Sequence, residues 1–436
     1  MCADRRKLSF DIANGRRALL LSGGLVIRDG GTAERADILI GARGRIDSVG
    51  PDLQAGPETD RVDVSSMLIS PGFVDMHQHL DKTGVLPFTP NPSGTLQGAR
   101  EAFAKYARTA GPEDITRRAS RTMQRCLSRG TTAIRSHVNV DKDARFHGIE
   151  ALARLRDEWR DRISLQLVAF MMAHPGQDYD WLGANIDAAV ALGDVVGGTP
   201  AVAEDPDRYI DMLFAAAARA GKPVDLHLDE HLDPASLHFD TALDCVERYG
   251  MQGRTVFSHV SVLSAMPRAG FERIMQRMID LDVGAVTLPA ANLYLQGRDS
   301  QTLPPRGLTR VAELMRGGVV IATASDNIQD PFVPTGSGDL LEIARWTLLA
   351  GHLMADELSA AHRLITTAPA RLMGLGEDYG IRAGAWADLV LTDCADTDRL
   401  VAGGADHMQV LSRGRLVSES AVALAQPETL RVAERV

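Results

Sequence analysis

The feature that most constrains the fold of this chain is a regular alternation of short apolar runs with stretches of helical periodicity. Near-continuous apolar runs of this length are typical of parallel strands that are covered on both faces. They span residues 70–79, 131–138, 164–170, 194–199, 223–229, 254–260, 283–289 and 319–325. The helical patterns between them include residues 113–128, 149–161, 206–220, 235–249 and 268–281. Eight strand-then-helix units predict an α/β fold, specifically a (β/α)8 TIM barrel.

An open, doubly wound sheet is the alternative interpretation of the same alternation. In that fold a glycine-rich turn directly after the first strand binds phosphate groups. No such turn follows the apolar run at 70–79. The barrel is therefore the favoured prediction.

The two ends of the chain carry a different pattern, of short strands separated by turns. At the N-terminal end the apolar runs are 18–21, 24–27, 36–40 and 45–49, and at the C-terminal end they are 384–392, 408–412 and 415–418. Neither group is large enough to form a good sandwich alone. We therefore predict one small β-sandwich domain built from both termini, with residues 1–68 and 375–436 flanking a barrel of residues 69–374.

Composition excludes several classes of function. The chain has 436 residues and a net charge of −10, with no basic patch, so we expect no nucleic-acid partner and no anionic membrane surface. No apolar run reaches the roughly 18 residues of a transmembrane helix, and none follows the early basic residues as in a signal peptide. The four cysteines, Cys2, Cys126, Cys245 and Cys394, are widely spaced. Together these features predict a cytoplasmic protein with reduced thiols.

Polar residues of metal-binding type collect at the carboxyl ends of the predicted strands, where barrel enzymes place their active sites. His77 and His79 end the first strand, and because residues two apart on a strand point the same way, their imidazoles converge. The fifth strand ends in His227-Leu-Asp-Glu230, the sixth in Ser258-His259 and the eighth in Ser325-Asp326-Asn327. Any one of these side chains alone is more often a polar group that satisfies loop backbone. Their joint placement predicts a catalytic metal site with an open coordination position.

The residue types suggest a role for each member of this set. We predict that one divalent metal ion, zinc or iron with manganese as a further candidate, is held by His77, His79, His227 and Asp326. Such an ion lowers the pKa of a bound water so that hydroxide forms near neutral pH. Glu230 is the candidate for moving a proton to the substrate nitrogen, and His259 for orienting the attacking group or polarising a substrate oxygen. Asp326 is also a candidate proton acceptor. The third and fourth predicted strands contain no lysine that could bridge a second metal ion, so one ion is expected.

These residues resemble the amidohydrolase superfamily, and specifically its cytosine deaminase-like branch. The resemblance rests on Pro-Gly-Phe-Val-Asp followed by His-Gln-His-Leu-Asp, on His227, Glu230, His259 and Asp326, and on further segments that occur in the family's order. Those segments are residues 91–96, 136–141, 165–170, 292–298 and 380–384. The resemblance implies a mononuclear metal barrel with a β-sandwich from both termini. It also implies hydrolytic removal of an amine from a nitrogen heterocycle, and a homo-oligomer.

The chain departs from the cytosine deaminase pattern at positions that contact the substrate in those enzymes. Met172 stands where those enzymes carry a glutamine after the third strand, and Asn327 and Phe332 replace an aspartate and a tryptophan. Loss of an amide that reads a base edge costs orders of magnitude in recognition. We therefore expect a small heterocyclic substrate other than cytosine. His174 and Lys82 are further candidates for contacting it.

Three functions remain open at this point. Deamination is the first, and the second is release of an alkylamine from a triazine-like ring or opening of a cyclic amide on the same machinery. The third is a non-catalytic scaffold that retains the barrel. The scaffold is disfavoured because Glu230 would be dispensable for binding alone.

Overall fold

A computed structural model describes residues 17–28, 31–173 and 179–421. The described residues form two sheets. Their strands, in chain order, are β1 Leu19–Ile27, β2 Ala33–Ile40, β3 Ile46–Gly50, β4 Asp60–Asp63, β5 Leu68–Pro71, β6 Phe73–Gln78, β7 Thr131–Val140, β8 Ser164–Met171, β9 Val195–Gly198, β10 Val224–Leu228, β11 Thr255–His259, β12 Gly284–Thr287, β13 Ile321–Thr323, β14 Leu389–Thr392, β15 His407–Ser412 and β16 Arg415–Ala421.

The larger structural unit is a barrel of eight parallel strands, β6 to β13, in sequential order. An isolated parallel bridge between Gln78 and Asp326 joins the two ends of the sheet, and the Asp326 amide donates to the carbonyl of His77 at 2.8 Å. The barrel predicted from the sequence is confirmed. Each apolar run corresponds to one strand, although the first barrel strand begins at Phe73, because Ser70 and Pro71 pair with β14 in the other sheet.

Helices follow the barrel strands and cover them, and the last helix follows β14 of the other sheet. In chain order they are α1 Leu96–Ala107, α2 Pro112–Ser128, α3 His147–Trp159, α4 Tyr179–Leu192, α5 Pro206–Ala220, α6 Phe239–Arg248, α7 Arg268–Asp280, α8 Pro289–Leu295, α9 Val311–Gly317, α10 Leu340–Ala350, α11 Leu358–Arg363, α12 Thr367–Leu372 and α13 Thr397–Gly403. Residues such as Leu167, Leu226 and Phe257 are fully buried in the layer between strands and helices. None of the helices in the described ranges is long and apolar enough to span a bilayer.

Local sequence signals explain where several helices begin and end. Helix α5 begins with Pro206 after Asp205, whose carboxylate accepts a hydrogen bond from the Arg208 amide at 3.1 Å. It ends at Gly221, which has φ 65° in the left-handed region that glycine adopts without strain. Helix α1, which the sequence patterns above did not predict, begins after Thr95, whose hydroxyl accepts from the Gly98 amide at 3.0 Å.

The second sheet draws its strands from both ends of the described chain, as expected. Its order is β16-β15-β14-β5-β1-β2-β3, and β4 pairs with β1. Its buried face is apolar and includes Leu21, Ile38 and Leu389. Only Gly72 separates β5 from the first barrel strand, so the chain passes directly from this sheet into the barrel. The division of the chain at residues 68 and 374 stays a prediction.

The closure of the barrel depends on a fully buried carboxylate, Asp75. It accepts hydrogen bonds from the Ser325 amide at 3.1 Å, from the Ser325 hydroxyl and from Gln78 Nε2 at 2.9 Å. Burial raises the pKa of Asp75 to about 6, and these hydrogen bonds oppose that rise. Asp75 thereby ties the first strand to the residue that precedes Asp326.

We predict that Asp75→Ala lowers the free energy of unfolding by about 2–4 kcal/mol, because it leaves the buried Ser325 amide without an acceptor. Urea unfolding followed by circular dichroism measures the change. Asp161→Ala removes an exposed aspartate from a loop and should change stability by less than about 0.5 kcal/mol. Equal stability of the two variants would show that Asp75 does not hold the closure.

Candidate active site

Four electron-pair donors converge at the carboxyl end of the barrel. His77 lies in β6 and His79 just beyond it, His227 lies in β10, and Asp326 follows β13. The Nε2 atom of His227 is 3.1 Å from Nε2 of His77 and 3.2 Å from Nε2 of His79. Oδ1 of Asp326 is 3.5 Å from Nε2 of His77 and 3.2 Å from Nε2 of His79. The structure thus brings together the four residues that the sequence nominated as metal ligands.

The hydrogen-bond partners of His77 show which of its ring nitrogens carries the proton. The Ser258 hydroxyl donates to Asp225 at 2.8 Å, so its oxygen accepts from Nδ1 of His77 at 3.0 Å. Nε2 of His77 therefore presents a bare lone pair to the centre of the site. Nδ1 of His79 lies between an acceptor, the carbonyl oxygen of His137 at 3.1 Å, and a donor, Nζ of Lys82 at 3.0 Å.

The electrostatics of the four side chains suit a bound cation. Burial, and after it the neighbouring imidazoles or the Lys82 ammonium, holds the pKa values of His77, His79 and His227 well below the usual range. Burial and the carboxylates of Glu230 and Asp330 raise the pKa of Asp326 well above its usual range. Within the described ranges, Oδ1 of Asp326 has no hydrogen-bond donor. A divalent ion would hold Asp326 ionised against that rise and would find neutral imidazoles as its other ligands.

The spacing of the donors also fits a metal ion. A metal–nitrogen distance of about 2.1 Å in tetrahedral geometry places neighbouring ligand atoms roughly 3.4 Å apart. The measured separations of 3.1–3.5 Å bracket that value. Lone pairs held this close repel one another unless a cation lies between them. The cluster could therefore hold one divalent metal ion.

A buried ion pair lies beneath the cluster and supports it. Asp225 accepts from the Arg135 guanidinium at 2.8 Å and lies 3.3 Å from Nε2 of His137, and these three side chains are almost completely buried. Because Asp225 also receives the Ser258 hydroxyl, it fixes the orientation of the serine that contacts His77. His137 thus lies in the layer beneath the cluster.

Glu230 and His259 lie beside the four donors. Burial raises the pKa of Glu230 to about 7, while Arg100 and His231 oppose that rise. A carboxyl group with that pKa can both accept and donate a proton near neutral pH. Nδ1 of His259 accepts from the Asn292 amide at 3.3 Å, so Nε2 carries the proton and lies 3.9 Å from Oδ2 of Asp326. Burial lowers the pKa of His259 to about 3, which keeps the ring neutral.

The backbone adopts left-handed conformations where these strands end. Asp229 has φ 49°, His259 has φ 66°, Val260 has φ 43° and Asp326 has φ 59°. Positive φ is uncommon for residues other than glycine and is a genuine outlier for a β-branched residue such as Val260. Such strain clusters at functional sites, where surrounding contacts enforce it. Here it occurs at the carboxyl ends of β10, β11 and β13, beside the four donors.

A cavity of about 220 Å³ opens above the cluster. Its floor is formed by His79, His227, Glu230, His259 and Asp326. Its walls are largely apolar, with contributions from Leu96, Phe103, Phe170, Met172, Val202 and Phe332. Pockets for drug-sized ligands are typically 300–1,000 Å³, so a cavity of this size suits a small ring system.

The residues predicted to contact the substrate differ in whether they line the cavity and in their hydrogen-bond partners. Met172, Phe332 and Lys82 line the cavity. Lys82 is buried, and its ammonium contacts Asn139 Oδ1 at 2.9 Å and Asp81 at 3.3 Å. Asn327 also lines the cavity, but its amide nitrogen already donates a hydrogen bond to Asp330 at 2.6 Å. His174 lies outside the described residues.

Two residues near the site were not singled out from the sequence. Arg100, on α1, points into the cavity with Nη2 4.0 Å from Oε2 of Glu230. Asn292, on α8, contacts His259. Thr95 ahead of a helical run could have indicated the start of α1, but no local signal shows which face of that helix meets the barrel.

Comparisons with known proteins agree with this geometry. The amidohydrolase family model matches residues 91–417. A pterin deaminase from Rhizobium rhizogenes is 32% identical over 394 residues, which cover 88% of each chain. An N-isopropylammelide isopropyl amidohydrolase from a Pseudomonas species is 28% identical over 85% of this chain and 91% of that protein. The structure of 5-methylcytosine deaminase from Klebsiella pneumoniae, liganded with 5-fluorocytosine, superposes with a TM-score of 0.86 at 26% identity, covering 94% of this chain and all (100%) of that one.

We predict that the purified protein contains about one divalent ion per chain and that His227→Ala reduces this to below about 0.1. Loss of one imidazole from a four-donor site removes a large part of its affinity. Elemental analysis by plasma mass spectrometry after gel filtration measures the content. His352→Ala, which removes an exposed histidine, should retain the ion. Full metal content in His227→Ala would place the metal elsewhere.

Proposed function

This chain belongs to the amidohydrolase family of metal-dependent hydrolases that act on C–N bonds, and we propose that it is a mononuclear deaminase of a small nitrogen heterocycle other than cytosine. The observation that carries the proposal is the convergence of three imidazole Nε2 atoms and one carboxylate oxygen, with four of the separations between them at 3.1–3.5 Å, next to Glu230 with its raised pKa. The relative with 32% identity is a deaminase, which supports the same reaction class.

The metal ion, held by His77, His79, His227 and Asp326, would supply Lewis acidity and lower the pKa of the attacking water. Zinc or iron is our first proposal for its identity and manganese the next, because nitrogen and oxygen ligands of this kind accept each of them.

The side chains around the cluster account for the proton transfers. Glu230 accepts a proton from the attacking water and delivers it to the ring nitrogen beside the reacting carbon. The Nε2–H group of His259 donates a hydrogen bond that orients the attacking oxygen. Oδ2 of Asp326 accepts the second proton, which the departing amine then takes up. Ammonia and the oxo form of the ring are the products, so the atoms balance as a hydrolysis.

The walls of the cavity account for the choice of substrate. Met172 offers no hydrogen bond to a base edge, and the Asn327 amide is held by Asp330. The apolar walls stack against a flat ring and exclude water from the reacting carbon. We therefore propose a planar heterocycle that is recognised at few polar positions. The cytoplasmic location and the homo-oligomer expected from the sequence stay predictions.

Release of an alkylamine is the second candidate reaction. It is favoured by the 28% identity to an isopropyl amidohydrolase and by the apolar wall at Met172, which could receive an alkyl group. The same proton transfers serve either leaving group. The two candidate reactions therefore differ only in the leaving group that the substrate carries.

Glu230→Gln is predicted to retain the metal ion and to lose at least about 10³-fold in kcat, because an amide cannot move the proton. Steady-state ammonia release, paired with elemental analysis of the same sample, measures both quantities. Glu158→Gln changes an exposed glutamate on α3 and should leave both unchanged. Loss of the metal ion in Glu230→Gln would make this residue a ligand and contradict its proposed role.

A substrate panel tests the altered pocket. We expect ammonia from a pterin or another amino-substituted heterocycle, and a kcat/KM for cytosine at least about 100-fold lower than for the best substrate, because Met172 cannot replace a hydrogen-bonding amide. Mass spectrometry of the products separates ammonia from alkylamine release. Brisk turnover of cytosine would contradict the proposal about Met172 and Asn327.

A further inference from the structure

Helix α8 is a short, buried helix whose part in the reaction the proposed mechanism leaves open. It follows β12 directly, and Pro289 in its first turn favours a helix start at this point. Ala291 and Leu295 are buried in an apolar cluster with residues of α10. Asn292 is fully buried, and Gln296, at the C-terminal end of the helix, is 8% exposed. Amides buried to this extent need polar partners.

The two amides are four residues apart and therefore lie on the same side of the helix. The backbone N–H of Gln296 donates to the carbonyl oxygen of Asn292 at 3.1 Å. The side chain of Asn292 donates from Nδ2 to Nδ1 of His259 at 3.3 Å, and Nε2 of Gln296 donates to the carbonyl oxygen of Glu230 at 3.1 Å. Neither amide is among the described residues that line the cavity. Each thus contacts a residue of the site from behind.

We propose that α8 positions both groups that handle protons in the reaction: Asn292 selects the tautomer of His259, and Gln296 fixes the place of Glu230. Both are positioning residues, because neither faces the space where the substrate binds. This positioning rests on the proposed function, from which the roles of His259 and Glu230 are taken.

The tautomer of His259 needs an outside donor because Glu230 favours the opposite one. Oε1 of Glu230 lies 3.6 Å from Nδ1 of His259. A carboxylate at that distance attracts a proton to Nδ1, which would leave Nε2 bare. The N–H group of Asn292 occupies the lone pair of Nδ1 and so keeps the proton on Nε2. His259 can then donate a hydrogen bond toward the attacking oxygen.

The place of Glu230 depends on how its backbone is held. In the described part of the chain, no donor lies within hydrogen-bonding distance of its carboxylate. Gln296 supplies a donor to its carbonyl oxygen instead. Gly307, with φ 66°, packs on the stem of Gln296, where a Cβ atom would lie 2.4 Å from Cγ. The loop after α8 therefore folds back over Gln296 and keeps its amide against Glu230.

Nitrogen-15 NMR of the metal-loaded, histidine-labelled protein tests the role of Asn292. The His259 signals are assigned by their loss in His259→Gln, and we expect a bare Nδ1 and a protonated Nε2 in the wild-type protein. Asn292→Asp replaces the donor by an acceptor of similar size and is expected to move the proton to Nδ1. Asn185→Asp, which changes a half-buried amide on α4, should leave His259 unchanged.

Asn292→Ala is a second variant in case Asn292→Asp does not fold. It removes the donor without adding a charge and should give a mixture of the two tautomers. A proton on Nδ1 of His259 in the wild-type protein would overturn the inference. An unchanged tautomer in the variants at Asn292 would do the same.

Gln296→Met tests the hold on Glu230, because it keeps the side-chain length and removes the donor. In crystals of the metal-loaded variant we expect the Glu230 carboxylate to move by at least about 1 Å, a displacement large enough to impair proton transfer. With an amine-releasing substrate, kcat should fall about 10–100-fold while KM stays within about 3-fold, because no substrate contact is lost. Gln301→Met, at an exposed amide of the following loop, should change neither.

A double variant separates positioning from general disturbance. In Glu230→Gln the proton carrier is already absent, so adding Gln296→Met should lower kcat by no more than about 2-fold. Gly307→Ala, which displaces Gln296 but keeps its amide, is the second variant if Gln296→Met does not fold. An unmoved Glu230 carboxylate, or a full loss of kcat again in the double variant, would contradict the role of Gln296.

The outcomes are separable from those of the proposed function, because NMR and crystallography need no turnover. If Asn292→Asp moves the proton and Gln296→Met moves Glu230, yet no panel compound releases ammonia or an alkylamine, the positioning by α8 stands and the deaminase assignment is wrong. If ammonia is released but neither variant changes its target, the deaminase assignment stands and α8 does not position these groups.

Discussion

The repulsion among donors that converge at the end of the barrel is the interaction on which the rest of this structure depends. His77, His79 and His227 bring their Nε2 atoms together beside Oδ1 of Asp326, with two nitrogen pairs 3.1 and 3.2 Å apart. A divalent cation between these electron-pair donors turns their close approach into an attraction. The fold must therefore hold them together until a metal ion makes the arrangement favourable.

Several features of the barrel serve to hold them. Asp75 closes the sheet beside Asp326, and Asp225 fixes the serine that orients His77. The backbone is left-handed at Asp229, His259 and Asp326, where β10, β11 and β13 end. Each feature opposes relaxation of the cluster, and each is costly in isolation, since it buries a carboxylate or strains the backbone. Asp75 and Asp225 thus preorganise the site without contacting the substrate or the reacting atoms.

The sequence predicts the barrel and the placement of the four donors because both follow from local signals. Apolar runs fix the strands, and barrel topology brings strand ends to one face. The sequence does not predict what Arg100 and Asn327 contact, because those contacts depend on how loops and α1 pack over the barrel. Asn327 lines the cavity as expected, yet the neighbouring Asp330 takes its amide, and no spacing rule reveals that competition.

The most direct test of the central claim is the position of the metal ion in a crystal, measured by anomalous scattering at the metal's absorption edge. The account predicts one peak per chain, about 2.0–2.2 Å from Nε2 of His77, His79 and His227 and from an oxygen of Asp326. In the described chain, the candidate cluster that shares no residue with this site, Asp229, His231 and His238, should show none. A peak at that cluster in place of the first, or a pair of peaks about 3.5–4 Å apart, would contradict the mononuclear site.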